Sequence, residues 1–240
     1  MDFSNNNISS LVILGTDIPS SKLNDSKIEN INGLKVDIIR FCELNIENIN
    51  RYDVAFFMNP KTDQQEFTKI PGKNKKKEKE VLFCFYIVNE NQKMAKNLRY
   101  NESIIITEEK NEIETMLTLI YTIYFEHMIS IDLHDLINIF GGKYFKKTTV
   151  SISDIYSLGR LLNKLKPKIK QNIKSSYRNF VHISFPNGQK YKLSDIESIM
   201  NIYNLAMENC PSIYFSDTLV HDIVSIKLDI FFEHQVSRYP

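Results

Sequence analysis

Two carboxylates three residues apart, Asp132 and Asp135 in the segment Ser130-Ile-Asp-Leu-His-Asp135, are the residues whose types and spacing best suit chemistry. At i and i+3 near a helix start they share one side, where together they can orient or deprotonate a water or hold a cation. The same spacing also serves structure, with Asp132 capping the helix and Asp135 in its first turn complementing the helix dipole. His134 between them reads as solvent-facing. Zinc chemistry is not expected, because the five histidines are scattered and no H-x-x-x-H or paired C-x-x-C exists. Hydrolase and common phosphate-loop signatures are missing too: there is no G-x-S-x-G, no G-x-x-x-x-G-K-[ST] and no G-x-G-x-x-G. Seven glycines in 240 residues leave no glycine-rich loop. The remaining charged feature is Pro71-Gly72 followed by Lys73, Lys75, Lys76, Lys77 and Lys79, diluted by Glu78 and Glu80. Such a run can bind phosphates but reads first as a solvated loop.

The totals bound what surrounds these residues. A chain of 240 residues buries a large core as one or two domains, and 42% apolar with 25% charged residues describes an ordered globular protein. A net charge of +1 supplies no overall field to pull the whole chain onto nucleic acid or acidic lipid, and nucleic acid is not an expected partner. Cys42, Cys84 and Cys210 are odd in number and far apart, which fits free thiols in a reducing cytoplasm. The N-terminus, Met-Asp-Phe-Ser-Asn-Asn-Asn, has neither the basic region nor the apolar run of a signal peptide, and no apolar run is long enough to span a membrane. A cytoplasmic location is expected.

The elements that must position the carboxylates can be read in order. Apolar runs at 11–15, 33–41, 53–58, 81–88 and 103–107 read as strands, with short helices at 20–32 and 91–100. From Glu108 the period changes: Ile113, Met116, Leu117, Ile120, Ile123, Tyr124 and His127 mark one helical face, and Leu119, Phe125 and Met128 broaden it. A helix so apolar belongs between two packed layers. Beyond it come a short helix at 133–140 stopped by Gly141-Gly142, a strand at 144–152, and a helix at 154–170 with a break expected at Pro167. A strand at 177–185 follows, then a helix opened by the capping box Ser194-Asp-Ile-Glu197. Strands at 212–215 and 223–232 close the chain, the last with Val224, Ile226, Leu228 and Ile230 on one face.

This order resembles the tubulin/FtsZ superfamily. The helix at 108–129 resembles its central helix, and Ser130-Ile-Asp-Leu-His-Asp135 resembles its synergy loop, Asn-x-Asp-x-x-Asp, with Ser130 at the Asn position. Asn179-Phe-Val-His-Ile-Ser184 is similar to the FtsZ strand V-L-V-N-I-T, and Leu193-Ser-Asp-Ile-Glu-Ser-Ile-Met200 to its L-T-L-E-E-V-N-E-A helix start. Ser212-Ile-Tyr-Phe-Ser-Asp-Thr-Leu-Val220 is similar to N-I-I-F-G-x-V-I-D. The resemblance implies an α/β fold: a reduced Rossmann-like nucleotide-binding domain at 1–107, a central core helix at 108–129, and an FtsZ-type C-terminal α/β domain at 130–240 with a four-stranded sheet.

The chain departs from that family where nucleotide phosphates are held. The first strand leads into Gly15-Thr16-Asp-Ile-Pro rather than a glycine-rich loop, and Asn59-Pro-Lys61-Thr62-Asp-Gln-Gln65 stands where the GGGTGTG signature belongs. Side chains and a proline replace bare backbone, and Asp17 and Asp63 repel phosphate. The resemblance therefore implies a degenerate subunit, leaning away from an enzyme, without a GTPase or bound cofactor of its own. Its Asp132 and Asp135 act in trans, if at all, on GTP held by another copy or another FtsZ/tubulin-type protein. Such a subunit serves as a filament component, cap or regulator in a cytoskeletal, division or partition role. Two alternatives stay open: a divergent GTPase in which Lys61 or the Lys73 to Lys79 loop supplies the missing contacts, and a non-polymerising scaffold of the same fold.

Overall fold

The computed structural model describes residues 10–15, 35–40, 52–58, 83–92, 98–108, 111–124, 128–129, 131–172, 178–187, 190–207, 212–220 and 223–234, with backbone alone for 10–15, 35–40 and 171–172. The expected helix at 20–32, most of the one at 91–100, and the Lys73 to Lys79 run lie outside the described residues.

Five strands come first: β1 (Ser10–Gly15), β2 (Lys35–Arg40), β3 (Val54–Met58), β4 (Phe83–Asn89) and β5 (Glu102–Thr107). They pair in parallel in the order β2-β1-β3-β4-β5. All of Val54 to Met58 and Phe83 to Val88 is buried, the continuous apolar pattern of strands covered on both faces. Phe56 stacks on Phe85 across one face and Phe57 on Tyr86 across the other, with centroids 5.3 and 4.8 Å apart.

Helix α1 (Glu112–Tyr124) returns from the C-terminal end of β5 towards the opposite edge of the sheet. It starts later than the apolar pattern suggests because Glu108 and Asn111 form a turn, and the Asn111 carbonyl accepts from both the amide and the hydroxyl of Thr115. Helix α2 (Leu133–Phe140) follows and ends at Gly141, whose N–H donates to Ile137 O at 2.8 Å. A Cβ on Gly141 would lie 2.1 Å from the Tyr100 carbonyl oxygen, so only glycine lets α2 close on the start of β5. Gly142 then takes φ 72 and donates to Glu102 O.

The second half contains β6 (Lys143–Ile152), α3 (Leu158–Asn172), β7 (Arg178–Pro186), α4 (Leu193–Met207), β8 (Ser212–Val220) and β9 (Ile226–His234). The four strands of this half pair in the order β6-β9-β7-β8, and β6 also pairs with β5, so the described strands form one continuous nine-stranded sheet, its first sheet being the β2-β1-β3-β4-β5 part and its second sheet the β6-β9-β7-β8 part. On one face Leu161, Leu165 and Ile169 of α3 and Ile196, Ile199 and Tyr203 of α4 cover the second sheet. α1 crosses the other.

Four local expectations change. Pro167 does not break α3, which runs on to Asn172. Pro167 and Asn163 are both exposed, so water can satisfy the carbonyl that proline leaves unpaired, while the buried stripe anchors both sides. The capping box at Ser194 and Glu197 is not used: α4 begins at Leu193, and Asp195 accepts from the Lys192 N–H at 2.8 Å. β8 continues to Val220 because Ser216, Asp217 and Thr218 are buried polar residues rather than a turn. Val224 does not share the buried face of Ile226, Leu228 and Ile230, since β9 starts only at Ile226.

Candidate functional site at the end of the central helix

The carboxylate pair lies where α2 begins, just beyond the C-terminal end of α1. Asp132 is the N-cap residue: its Oδ1 accepts from the Asp135 N–H at 2.8 Å, and Asp135 Oδ2 accepts from the Asp132 N–H at 3.4 Å. Each carboxylate spends one oxygen in this reciprocal box, and both side chains, with His134, are exposed. Basic groups hold the other end of the helix. Lys143 Nζ donates to Asn138 O and Ile139 O at 3.0 and 2.9 Å, and Arg178 reaches Asn138 O at 3.0 Å. Negative charge at the start and positive charge at the end both match the dipole. Partial burial, with Arg178 beside it, pushes the Lys143 ammonium below its usual range against the pull of Glu233.

The inner face of α2 fixes the pair relative to both sheets. Phe140 meets Phe85 of the first sheet and Phe145, Phe180 and Phe231 of the second, with centroids between 4.6 and 5.7 Å away. The chain entering the loop is also held. Buried Asp217 accepts from Ile129 N–H at 2.7 Å, from Met128 N–H at 3.4 Å and from the Tyr191 hydroxyl at 2.9 Å. Burial and then the hydrogen bond and charge of Asp217 push the Tyr191 phenol far up. Nothing in the spacing around 130–135 pointed to Asp217 or Tyr191. Ser130 lies outside the described residues.

The C-terminal ends of β1, β3 and β5 lie at the other end of α1, where the helix begins. Gly15 is the last residue of β1, level with Met58 at the end of β3. Thr16, Asn59, Lys61 and Thr62 lie outside the described residues. Thr107 ends β5 at this edge and meets Thr115 Oγ1 of α1 at 3.1 Å. Beside it a recess of about 60 Å³ is lined by Thr107, Glu108, Asn111, Lys147, Thr149 and Lys168, room for a few waters. At its far end α1 carries Tyr124, whose phenol is driven far up by burial and by Asp53 at the start of β3. The rise of a 13-residue helix puts about 20 Å between the two edges. Asp132 and Asp135 therefore stand away from the strand ends of their own chain.

Between these ends a buried polar row crosses the second sheet beneath α1. Thr149, Asp229, His182 and Ser216 are successive partners on β6, β9, β7 and β8. Asp229 accepts from Thr149 at 2.5 Å and from Thr118 at 2.8 Å, and pairs with the buried Lys147 ammonium at 3.0 Å. Thr122 Oγ1 and Ser216 Oγ both sit on His182 Nδ1, at 3.0 and 2.7 Å. Burial alone raises the Asp229 carboxyl, but Lys147 and the hydrogen bonds from Thr149, Lys147 and Thr118 outweigh it and hold it below the carboxylate range. The sequence did hold a signal for this row, because Thr115, Thr118 and Thr122 repeat at three and four residues along an otherwise apolar helix. Among the described residues no group of three or more His, Cys, Asp or Glu could hold a metal ion.

No family model matches the sequence, and no curated protein matches it. Solved structures do match. The chain is similar to an FtsZ dimer from M. jannaschii, at TM-score 0.66 and 10% identity over 96% of this chain and 89% of that one. It is similar to CetZ1 from Haloferax volcanii, a GDP-bound monomer, at 0.54 and 10% over 93% of each chain. It is also similar to TubZ-Bt in a helical model of a two-stranded filament, at 0.54 and 8% over 97% and 87%. The chain has a tubulin/FtsZ-like α/β fold. Its central helix and the four-stranded part of its sheet are features that the sequence resemblance implied.

Proposed function

We propose that this chain is an FtsZ-like cytoskeletal protein that works through protein–protein contacts as a filament subunit, cap or regulator, without hydrolysing GTP itself. The observation carrying this reading is the placement of Asp132 and Asp135. They are exposed on a helix anchored at both ends, and the length of α1 separates them from the strand ends of their own chain. A pair so placed can complete a site only on another subunit, stacked end to end. The assembled states of two structural neighbours, a dimer and a two-stranded filament, support the same geometry. The side chains and proline at Asn59 to Thr62, where the resemblance expects glycines, support a subunit that offers carboxylates to a neighbour's GTP and holds none.

A second reading has its own observation: the reciprocal hydrogen bonds of Asp132 and Asp135 are complete as a helix cap, as in a scaffold that does not polymerise. Sedimentation and electron microscopy, with and without GTP, alone and mixed with the FtsZ-type protein of the same cell, separate the two. The proposal expects the chain to co-pellet with that protein or to shorten its filaments. A chain that stays in the supernatant and leaves filament length unchanged is the scaffold.

A further inference from the structure

The near-zero net charge hides a strong asymmetry. From Ile155 to Ser194 the sequence carries nine Lys and Arg and no Asp or Glu, so the rest of the chain is net negative. The centre of this block is α3, which buries Leu161, Leu165 and Ile169 and turns Arg160, Lys164, Lys166 and Lys170 to solvent, with Lys168 half-buried. Around the helix axis these cations occupy the whole arc left by the apolar stripe. Among the described residues Lys164 donates to Ser151 O at 2.6 Å, and Lys168 lies 3.9 Å from Glu108. Asp154, ahead of the helix, accepts from Ser157.

A second feature adjoins the first. Tyr156 is 96% exposed and Val224 is 94% exposed. Tyr156 sits in the 3-10 turn Ile155–Ser157 that leads directly into α3. Val224 lies on the loop before β9, and because Ile152 pairs with Ile226 both loops leave the same end of the β6–β9 pair. The Tyr156 turn is tied by Ser157 N–H to Asp154 O at 3.1 Å and by Ser153 and Ser157 hydroxyls 2.8 Å apart, so the ring is held out on ordered backbone.

We infer that the outer face of α3, with Tyr156 and Val224 at its leading end, is a docking surface for an anionic lipid bilayer. The cations supply attraction to acidic headgroups, and α3 stays on its own core because its apolar stripe is already buried. Tyr156 and Val224 supply the shallow apolar insertion that turns electrostatic attraction into stable peripheral binding. A nucleic acid uses the same cations and can stack on a tyrosine, but gains nothing from an exposed valine. The inference rests on charge and exposure alone and does not depend on filament contacts.

The test is co-sedimentation of the full chain with vesicles of phosphatidylcholine containing one-quarter phosphatidylglycerol, with pure phosphatidylcholine vesicles and a short DNA duplex in parallel. The expected result is binding to the anionic vesicles only, weakened by salt. Arg160→Gln/Lys166→Gln/Lys170→Gln lowers the partition about a hundredfold, at about fivefold per cation. Tyr156→Ser/Val224→Ser lowers it several-fold with an unchanged circular dichroism spectrum. Equal pelleting with both vesicle types, no pelleting at all, a partition indifferent to either variant, or displacement from vesicles by the duplex would each overturn it.

Discussion

The two faces of α1 are built on different principles. Towards the first sheet it presents Met116, Leu119 and Ile120, all fully buried against Phe56, Phe85 and Ile87. Towards the second it presents Thr118, whose one hydroxyl proton is shared between Asp229 and the Glu114 carbonyl, and Thr122, which donates to the Thr118 carbonyl and meets His182. An apolar contact is nondirectional and tolerates small shifts, whereas a row of hydrogen bonds to a buried ion pair is satisfied in one position. Apolar burial against the first sheet holds α1 down, and the hydrogen bonds to the second fix where it ends. That position sets where Asp132 and Asp135 emerge.

The largest expected effect breaks the polar side. Asp229→Asn leaves Lys147 buried without its charge partner and costs about 3–5 kcal/mol in urea unfolding at neutral pH. Adding Lys147→Met restores most of that, and failure of the rescue shows that the hydrogen bonds matter more than the ion pair. On the apolar side, Leu119→Ala removes a fully buried side chain and costs about 2–5 kcal/mol. The two faces differ in acid. The folded-state value of Asp229 is depressed, so its contribution is complete above the ordinary carboxylate value of about 3.9 and is lost as pH falls through the folded value. Stability of Leu119→Ala therefore still declines steeply below about pH 4, whereas the decline is shallower in Asp229→Asn. The smallest effect is at the cap: Asp132→Ala costs about 1 kcal/mol, read as a small fall in the unfolding midpoint.

Much of the architecture was legible because it rests on period and residue type. Phe83 to Val88 announces a strand buried on both faces, and Gly141-Gly142 announces the end of α2. Asp132 and Asp135 stood out by spacing, and both their capping geometry and their exposure follow from it. Other features depend on partners far away in sequence. Asp217 anchors the loop from 88 residues away, and Asp229 meets Thr118 across 111. In a single sequence Asp229 reads as one polar residue in an apolar strand, and Ser216-Asp217-Thr218 reads as a turn that ends one. Pro167 misled because proline's cost depends on whether water reaches the freed carbonyl, which burial decides.

The central claim is that Asp132 and Asp135 act on a neighbouring subunit. GTP turnover by the FtsZ-type protein of the same cell, measured with increasing amounts of this chain or of its Asp135→Asn variant, tests it most directly, with unfolding midpoints showing that both proteins are folded. The account predicts that the unmodified chain changes turnover in proportion to its amount, while Asp135→Asn still co-pellets and leaves turnover at its starting rate. Equal effects of the two proteins, or no effect of either, would contradict it.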